Sequence, residues 1–362
     1  METLITNGIE STRYLAVDES RMLADPARYY KGGKPDLQLF DKKLYEVNPD
    51  DKVAIARAAA EEVLGKDERI ISVDSSYSDG EGSSYRLISN GFEGESKSTW
   101  FSVSASVSIK GEGEARPQDY WYDSALFYDK LTKTGIGAKA LERVLRKLGQ
   151  KKAKSGKYTM VVDPMNVGNL LSPMLSALYG SALQQKNSFL MDKLDTKVAS
   201  DLFTLRDEPH AIGANGSRYF DNEGVATEPR TVFDKGVLKT YFIDTYNGKK
   251  MDIAPTISAP SRLILTPGDK DLNGLVADIK QGILVTGFNG GNSNSSTGDF
   301  SYGIEGFLIE DGKLTQPVNE MNVTGNMVTL WNSLVAVGND PQPNRSWQIP
   351  SLVFEGVDFS GL

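Results

Sequence analysis

The sequence predicts an α+β fold, with a small α/β middle domain followed by a larger C-terminal domain that is mainly antiparallel sheet with a few helices. Between residues 48 and 148, segments with alternating apolar residues lie between two amphipathic helices. Beyond residue 156, short apolar runs are separated by turns rich in Asn, Asp and Gly, which is typical of antiparallel sheet. We expect three parts: residues 1–30, a remnant of an N-terminal domain; residues 31–150, the middle domain; and residues 156–362, the C-terminal domain.

The first residues predict an amphipathic helix that starts in mid-course. Leu4, Ile5, Ile9 and Leu15 form an apolar stripe, and no capping residue or preceding strand introduces the segment. This is why we expect residues 1–30 to be the remnant of a domain. The following residues up to Asn48 are rich in Pro, Gly, Lys and Asp and predict an extended connector.

The middle domain is predicted from one well-marked helix and several strands. Asn48 is a suitable N-cap, Pro49 suits the first helical position, and Gly65 is expected to end this helix. The predicted strands and the second helix that follow are, in order, Ile70–Tyr77, Ser84–Ser89, Trp100–Lys110, Asp123–Leu131 and the helix Ile136–Leu148.

The C-terminal domain is predicted to begin after a linker at Lys151–Lys157, with a strand at Tyr158–Val162. A broad apolar stripe over residues 170–179 predicts a buried helix, which either kinks at Pro173 or restarts there with Ser172 as its cap. Hairpin turns are then expected at three Gly-containing sequences, namely Asp221–Gly224, Asp234–Gly236 and Glu310–Gly312.

The side-chain inventory excludes several kinds of catalytic site. The 362 residues include one histidine, His210, and no cysteine. Most zinc sites take at least two ligands from His or Cys, and a Cys–His couple or a disulfide scaffold is impossible. A Ser-His-Asp triad would have to use His210. The common hydrolytic devices are therefore largely absent from this chain.

The overall charge argues against nucleic acid as a partner. The formal net charge is −8 at pH 7, whereas binding to phosphates needs a basic face. The one basic stretch, Lys139–Lys157, has no interleaved aromatic residues, and we interpret it as the solvated face and tail of a helix. Without a signal-peptide pattern or an apolar stretch long enough to cross a bilayer, we expect a cytoplasmic protein with no membrane partner.

Three features hold side chains that could carry chemistry. His210 lies in a polar turn, and we favour a histidine hydrogen-bonded to backbone over a catalytic base. Asp221, Glu223 and Glu228 could bind a hard cation, but their spacing lacks an EF-hand pattern and favours turn acids. Gly287–Asp299 lacks the Gly-Lys-Ser/Thr ending of a phosphate loop, so we expect a flexible loop over a cleft.

Several blocks of the C-terminal part resemble the PmbA/TldD family. The blocks keep the family's order and spacing over residues 150–362 and are Phe220–Val225 with Thr227, Glu228 and Arg230, Gly236–Leu238, Thr297–Ser301 with Gly303, Gly306 and Phe307, and Val337–Asp340. The middle region is also similar, although less distinctively. Family members begin with an N-terminal domain that this chain mostly lacks, which agrees with a helix that starts in mid-course.

The resemblance implies a family of bacterial cytoplasmic peptidases that work as two-subunit assemblies. The TldD-like subunit binds zinc through a His-Glu-x-x-x-His helix and a later cysteine, and the PmbA/TldE-like subunit lacks them. Here the motif's ligand positions fall on Leu171, Ser172 and Ser176, and the cysteine region reads Trp347–Ser351. Because these side chains cannot ligate zinc, the chain resembles the PmbA/TldE-like subunit.

The resemblance therefore implies a non-zinc-binding subunit of a metallopeptidase assembly that acts on small peptides or unfolded segments. We expect no catalytic residue and no cofactor on this chain, zinc on a TldD-like partner, and a peptide held by strand addition. The partner could instead be a second copy of the chain. The candidate residues of the substrate cleft are Asn289, Gly290, Gly291, Gly298 and Asp299.

Two other functions stay open at the level of sequence. One is a non-enzymatic homodimer that binds peptides or acts as a scaffold, and the other is an independent hydrolase that uses carboxylates and a hard metal. The family also carries the label modulator of DNA gyrase. The acidic net charge gives that label no direct support.

Overall fold

The computed structural model of the protein describes residues 2–362. The chain begins with helix α1 (Glu2–Thr12), which is exposed on all sides, and its presence agrees with the predicted amphipathic segment. The connector that follows is held against later parts of the chain. The Tyr30 N–H donates to the Gly224 carbonyl oxygen at 3.0 Å, and the Gly213 N–H donates to the Leu37 carbonyl oxygen at 2.7 Å.

A small unit of three strands and two helices follows the connector. Its elements are α2 (Pro49–Glu61), β1 (Ile70–Ile88), β2 (Phe92–Ile109), β3 (Gln118–Ala125) and α3 (Ile136–Leu145). The strands form an antiparallel sheet in the order β1-β2-β3. Every second residue of β2 from Phe101 to Ile109 is buried in one apolar cluster with residues of both helices, as the alternation predicts.

The start of α2 follows the predicted capping chemistry. The Asn48 side chain accepts a hydrogen bond from the Asp51 N–H at 2.8 Å, and Pro49 occupies the first turn, where its missing N–H costs nothing. The helix ends at Glu61 rather than at Gly65. Gly65 has a φ of +73° and closes the turn that follows the helix.

The strands of this unit are longer than predicted. The two segments expected to be separate strands are one continuous strand, β1, because the pairing with β2 continues through Gly80 and beyond. Gly80 lies opposite Trp100, whose ring occupies the space next to it. The strand predicted at residues 123–131 is β3, which ends at Ala125 and is followed by a short 3-10 turn at Tyr128–Lys130.

The larger unit contains two sheets and five short helices. Its elements in chain order are β4 (Gly156–Val162), α4 (Gly168–Ser176), α5 (Gly180–Gln184), β5 (Leu205–Asp207), β6 (Arg230–Asp234), β7 (Val237–Leu238), α6 (Thr245–Met251), β8 (Leu263–Leu265), α7 (Leu272–Ala277), β9 (Gln281–Ser293), β10 (Asp299–Glu310), β11 (Lys313–Asn326), α8 (Met327–Asn332), β12 (Leu334–Val337), β13 (Trp347–Gln348) and β14 (Leu352–Ser360). The predicted α+β class is confirmed.

The six-stranded sheet has the order β11-β10-β9-β4-β14-β12, and the five-stranded sheet has the order β13-β8-β5-β6-β7. In the larger sheet only β4 and β9 pair in parallel. Residues 322–324 of β11 also pair with residues 358–360 of β14, so five of the six strands form a closed ring at that end. The main apolar core of the chain is built around both sheets.

The hairpin turns at Asp234–Gly236 and Glu310–Gly312 form where they were predicted. Lys235, Gly236, Asp311 and Gly312 all have positive φ angles, as the two central residues of a type I′ turn require. The predicted linker at Lys151–Lys157 is hydrogen-bonded to the larger sheet at its start, where the Lys151 N–H donates to the Pro317 carbonyl oxygen at 3.2 Å, and its last two residues belong to β4. Among residues 2–362, no helix is both long and apolar enough to cross a membrane.

Candidate functional site

Helix α4 begins at the carboxyl end of β4, where the two parallel strands of the larger sheet lie side by side. The Asp163 carboxylate accepts a hydrogen bond from the Met165 N–H at 2.6 Å, and the Asn166 amide donates to the Thr286 carbonyl oxygen, at the end of the buried part of β9, at 2.8 Å. These contacts tie the turn that leads into α4 to both parallel strands. The carboxyl ends of parallel strands are a common place for binding sites in α/β proteins.

Helix α4 runs as one segment through Pro173, so of the two predicted alternatives, a kink at Pro173 or a restart with Ser172 as the cap, the restart does not occur. Leu171 is fully buried in the main core, whereas Ser172 and Ser176 are exposed. The family resemblance assigns the ligand positions of the zinc motif to these three residues. One of them is therefore fixed in the core, and the other two present only hydroxyl groups.

The C-terminal segment with the aligned cysteine position lies at the same end of the sheet. Ser351 directly precedes Leu352, which pairs with Val162 of β4. Ser351 is fully buried, its N–H lies 2.9 Å from Asp340 Oδ1, and its hydroxyl lies 2.8 Å from Asp340 Oδ2. Asp340 also accepts a hydrogen bond from the Leu272 N–H at 2.9 Å. The polar atoms of Ser351 and Asp340 are therefore hydrogen-bonded within the protein and stabilise the fold.

The donor set around α4 does not fit zinc. Within residues 2–362, no group of three or more His, Asp and Glu side chains is placed to hold a metal ion. A zinc site needs three or four His, Cys or carboxylate ligands, and the aligned positions supply one leucine and two serines.

The acids Asp221 and Glu223 hold turns together instead of forming a cation site. Asp221 is buried and accepts hydrogen bonds from the backbone N–H groups of Glu223, Val225 and Ser258 at 2.8–3.0 Å. Glu223 accepts from the N–H and hydroxyl of Thr245, and burial raises the pKa of Glu223. The third acid, Glu228, is exposed.

His210 is bonded to a side chain, so the prediction of a backbone partner is wrong. Its Nε2 lies 3.1 Å from Thr227 Oγ1, and its ring centroid lies 5.0 Å from that of Tyr219. Burial, followed by the positive charge of Lys34, lowers the pKa of His210. Among residues 2–362, no serine hydroxyl or carboxylate is hydrogen-bonded to this ring, so the geometry does not form a triad.

The predicted flexible loop at Gly287–Asp299 is mostly a β-hairpin. β9 continues to Ser293 and β10 starts at Asp299. A bulge in β9 interrupts the pairing between Phe288 and Gly291, and Gly290 and Gly291 have positive φ angles there. Of the candidate cleft residues, Asn289, Gly290 and Gly291 are exposed at this bulge.

The turn of this hairpin is fixed to the segment after α5. The Ser295 and Ser296 hydroxyls both donate to the Asn187 amide oxygen, at 2.7 and 2.6 Å, and the Phe189 N–H donates to the Ser295 carbonyl oxygen at 2.9 Å. Gly298 is buried in this turn. These hydrogen bonds hold the end of the hairpin against the segment after α5, so it is not the flexible loop that the sequence predicted.

Asp299, the last candidate cleft residue, closes the turn at the start of β10. It is exposed, and it accepts hydrogen bonds from the Asn326 amide at 3.0 Å and the Thr297 hydroxyl at 2.7 Å. These hydrogen bonds, with that from Asn326 the larger cause, lower the pKa of Asp299. A carboxylate that is ionised and held in this way stiffens the turn.

The sequence interpretation missed a cluster of buried charges where the small unit meets the larger one. Lys147 Nζ lies 2.7 Å from Glu305 and 3.2 Å from Asp119, and Arg143 Nε lies 3.2 Å from Asp119. The interpretation of the basic stretch as solvated is therefore wrong for these two residues. The sequence feature that could have indicated this cluster is the spacing of four residues between Arg143 and Lys147, because residues four apart in a helix lie on the same face.

This charge cluster reaches the turn before α4. Arg143 Nη1 lies 3.9 Å from Asp163 Oδ2. Burial raises the pKa of Asp163, although the hydrogen bond from Met165 and the charge of Arg143 oppose the shift. The cluster therefore couples the small unit to the helix with the aligned motif positions.

Comparison with protein families finds two matches along the chain. Residues 155–361 match the family model described as the PmbA/TldA metallopeptidase C-terminal domain. Residues 42–148 match the model described as the PmbA/TldA metallopeptidase central domain. The first match alone includes the whole region around α4, β9 and β14.

Individual relatives and solved structures agree with these matches. The chain is 29% identical to a Haemophilus influenzae protein named metalloprotease PmbA homolog, over 99% of this chain and 81% of that protein. A crystal structure of a proposed modulator of DNA gyrase from Bacteroides thetaiotaomicron is 73% identical, with a TM-score of 0.99 over 100% of this chain and 83% of that one. TldE from Thermococcus kodakarensis, at 22% identity, has the same fold, with a TM-score of 0.80 over 99% of this chain and 84% of that one.

Proposed function

This chain belongs to the PmbA/TldD metallopeptidase family, and from that premise we propose that it is a non-zinc-binding subunit of a peptidase assembly. The proposal rests on the side chains at the three positions that the resemblance assigns to the zinc motif. Leu171 is buried in the core, and Ser172 and Ser176 offer only hydroxyls. A zinc ion for peptide hydrolysis would therefore be held by a TldD-like partner, where it would polarise the scissile carbonyl or activate water.

The role of this chain in such an assembly is to shape the site and hold the substrate. The hairpin of β9 and β10 supplies one wall, with Asn289, Gly290, Gly291, Gly298 and Asp299 as its candidate contacts. An extended peptide would be gripped by strand addition, in which main-chain hydrogen bonds give affinity without strict sequence demands. Two free strand edges in the small unit suit this role, namely the outer side of β1 and the part of β2 that β3 does not reach.

The test is co-expression of this chain with a TldD-like protein that carries the His-Glu-x-x-x-His motif, called the zinc-bearing relative below. We expect the two chains to co-purify, with zinc stoichiometric to the relative and absent from this chain when it is purified alone. Cleavage of a short unstructured peptide should need both chains. It should stop when alanine replaces the motif histidines of the relative, a change that serves as the matched control.

Three results would contradict the proposal. The first is stoichiometric zinc on this chain alone, and the second is peptide cleavage by this chain alone. The third is a stable homodimer that neither binds the zinc-bearing relative nor alters its activity, which would favour a peptide-binding or scaffolding role.

A further inference from the structure

A cavity of about 400 Å³ lies where the small unit and the connector meet the larger unit. It is lined by the segment that follows β3, by the loop at residues 212–215 and by the segment around β13. We call it the three-cation cavity, because Lys130, Arg262 and Arg345 are the charged residues that line it. It shares Gln348 with the segment at the aligned cysteine position, and the function proposed above gives it no role.

Every charged side chain that lines this cavity is positive. Within residues 2–362, Lys130, Arg262 and Arg345 form no ion pair. Lys130 belongs to the small unit, whereas the two arginines belong to the larger one. In a chain with a net charge of −8, three cations around one cavity create a local positive potential that attracts an anion.

The acids of the larger unit near this cavity already have partners. Glu208 is the acid whose charge raises the pKa of Arg262, but its Oε1 lies 2.7 Å from Arg206 Nε, so the two form a neutral pair. Asp207 is buried and accepts two backbone hydrogen bonds. Asp340 accepts the three hydrogen bonds described above. The larger unit therefore presents no uncommitted acid to the cavity.

The acids of the connector and the small unit are directed to other places. Asp41 accepts hydrogen bonds from two backbone N–H groups at 2.9 Å. Asp36 lines a neighbouring cleft and accepts a backbone hydrogen bond at 2.9 Å. Asp129 is exposed, and its charge raises the pKa of Lys43. Counting Asp129 against its sequence neighbour Lys130 still leaves the two arginines in excess.

Both arginines have hydrogen-bond donors to offer. Arg262 Nε is buried and has no hydrogen-bond partner among the described residues, which is unfavourable for a polar group. Arg345 Cζ lies 4.7 Å from the centroid of the Tyr122 ring, and this stacking uses the face of the guanidinium and not the N–H groups in its plane. Burial lowers the pKa of both arginines. An oxoanion would accept hydrogen bonds from such donors and balance their charge.

The cavity also has an apolar wall. Leu126, Phe127 and Ile212 line it, and the Ile212 side chain is 61% exposed. Ligand sites combine apolar walls with a few polar groups that fix the orientation of the ligand. A cavity with both features suits a small molecule that joins an anionic group to an apolar part.

We propose that the three-cation cavity binds a small organic phosphate, whose phosphate group contacts Arg262, Arg345 and Lys130 and whose apolar part lies against Phe127 and Ile212. Guanidinium groups hold phosphate oxygens through paired N–H donors. A phosphate monoester carries nearly two negative charges above neutral pH, which matches three cations better than the single charge of a carboxylate. Because the cations come from both units, the bound phosphate would also connect the two units.

The experiment measures binding to the full chain alone by isothermal titration calorimetry at about pH 8, where the phosphate is doubly charged. The probes are phenyl phosphate, benzoate, inorganic phosphate and benzyl alcohol, which separate the phosphate, the carboxylate and the apolar part. We expect phenyl phosphate to bind about tenfold more tightly than benzoate or inorganic phosphate, and benzyl alcohol not to bind. The affinity should fall when the salt concentration rises from about 0.02 M to about 0.2 M.

Arg262→Met and Lys130→Met should each weaken the binding of phenyl phosphate about tenfold, and Arg262→Lys should have a smaller effect because it keeps the charge. Ile212→Ser should weaken the binding of phenyl phosphate and leave that of inorganic phosphate unchanged. The matched controls are Arg57→Met and Lys66→Met, which change exposed cations outside the cavity and should alter binding by about twofold or less. Circular dichroism checks that each variant is folded.

Thermal unfolding gives a second measurement. Phenyl phosphate should raise the unfolding midpoint of the unaltered chain and have a much smaller effect on the cavity variants, because only a bound ligand stabilises the folded state. No binding of phenyl phosphate, equally tight binding of benzoate or benzyl alcohol, or equal losses in cavity and control variants would overturn the proposal. Lys130 is exposed, so its variant keeps the test valid if Arg262→Met does not fold. The assay contains neither zinc nor a partner, so its outcome is independent of the proposed assembly.

Discussion

At the scale of single residues, the surroundings of His210 determine its tautomer. The Thr227 hydroxyl lies 2.5 Å from the Arg218 carbonyl oxygen and must donate its one proton to it, because a carbonyl oxygen only accepts. Thr227 Oγ1 is therefore the acceptor for His210 Nε2 at 3.1 Å. This places the proton of the neutral ring on Nε2. Because the Thr227 hydroxyl donates its proton to the Arg218 carbonyl oxygen, the His210 ring does not accept that proton.

We predict that His210 titrates below its ordinary value of 6.5 and that Lys34→Met raises its pKa. Burial is the first cause of the lowered pKa and the charge of Lys34 is the second. Because the chain has one histidine, a single imidazole signal in an NMR titration reports this pKa directly. Lys66→Met, which changes an exposed lysine that is not among the charges acting on His210, should leave this pKa unchanged.

The sign of the accompanying stability change follows from linkage. The folded-state pKa lies below the unfolded-state pKa, so between the two values the unfolded chain binds more protons. His210 therefore lowers the stability of the fold as the pH falls through the unfolded-state value, and it has no such effect well above that value. A folded-state pKa at or above 6.5, or equal titrations in the two lysine variants, would contradict this account.

At the scale of elements, the structure explains why β10 has glycine at positions 303 and 306, which belong to one of the blocks that resemble the family. A Cβ added to Gly306 would lie 1.8 Å from the Leu284 carbonyl oxygen, and one added to Gly303 would lie 2.4 Å from the Asn289 carbonyl oxygen. Both glycines lie where the pairing of β9 and β10 shifts register. The bulged strands approach each other so closely that only glycine fits.

We predict that Gly306→Ala destabilises the protein by about 2–4 kcal/mol, because the backbone of one strand must move to remove the clash. The matched control is Gly82→Ala in β1, where the nearest atom to the added Cβ is Ser98 Oγ at 3.9 Å. This change should stay within about 0.5 kcal/mol. Urea unfolding followed by circular dichroism measures both. Equal midpoints for the two variants would show that the close approach of β9 and β10 is not needed.

The elements that sequence analysis located correctly are those with local chemical signals. The cap at Asn48 and the type I′ turn at Asp311 and Gly312 depend on residues within one turn of each other. The continuity of β1 through Gly80 depends on Trp100, which pairs with it from another strand. A cross-strand partner of this kind cannot be identified from local propensity.

At the scale of the whole molecule, the candidate site was only partly predictable for the same reason. The composition excluded a metal site with two or more His or Cys ligands, since the chain has one histidine and no cysteine. The contacts that hold the site together come from distant parts of the chain, such as Lys147 with Glu305 and Asp340 with Ser351. These residues are brought together by the arrangement of the sheets, and their distance along the sequence does not predict the contact.

The buried ion cluster provides the molecule-scale prediction. Lys147 is only 9% exposed and contacts Glu305 of the larger unit and Asp119 of the small one. Lys147→Met would leave Glu305 without its cation, whereas Asp119 would keep Arg143 at 3.2 Å. We expect a loss of about 3 kcal/mol in the free energy of unfolding, the typical effect of breaking a buried ion pair from one side.

Two controls separate this coupling from a general effect of losing a lysine. Lys139→Met removes an exposed lysine from α3, the helix that precedes Lys147. The side chains of Lys139 and its partner Glu142 are 41% and 51% exposed, so this change should cost no more than about 0.5 kcal/mol. Adding Glu305→Gln to Lys147→Met should recover part of the loss, because it removes one orphaned charge. Equal stabilities of Lys147→Met and Lys139→Met would mean that the cluster does not join the units. A much larger loss for Lys147→Met than for Lys139→Met, partly recovered when Glu305→Gln is added, would mean that the buried ion pairs stabilise the contact between the two units. The turn before α4 contacts the same cluster through Asp163.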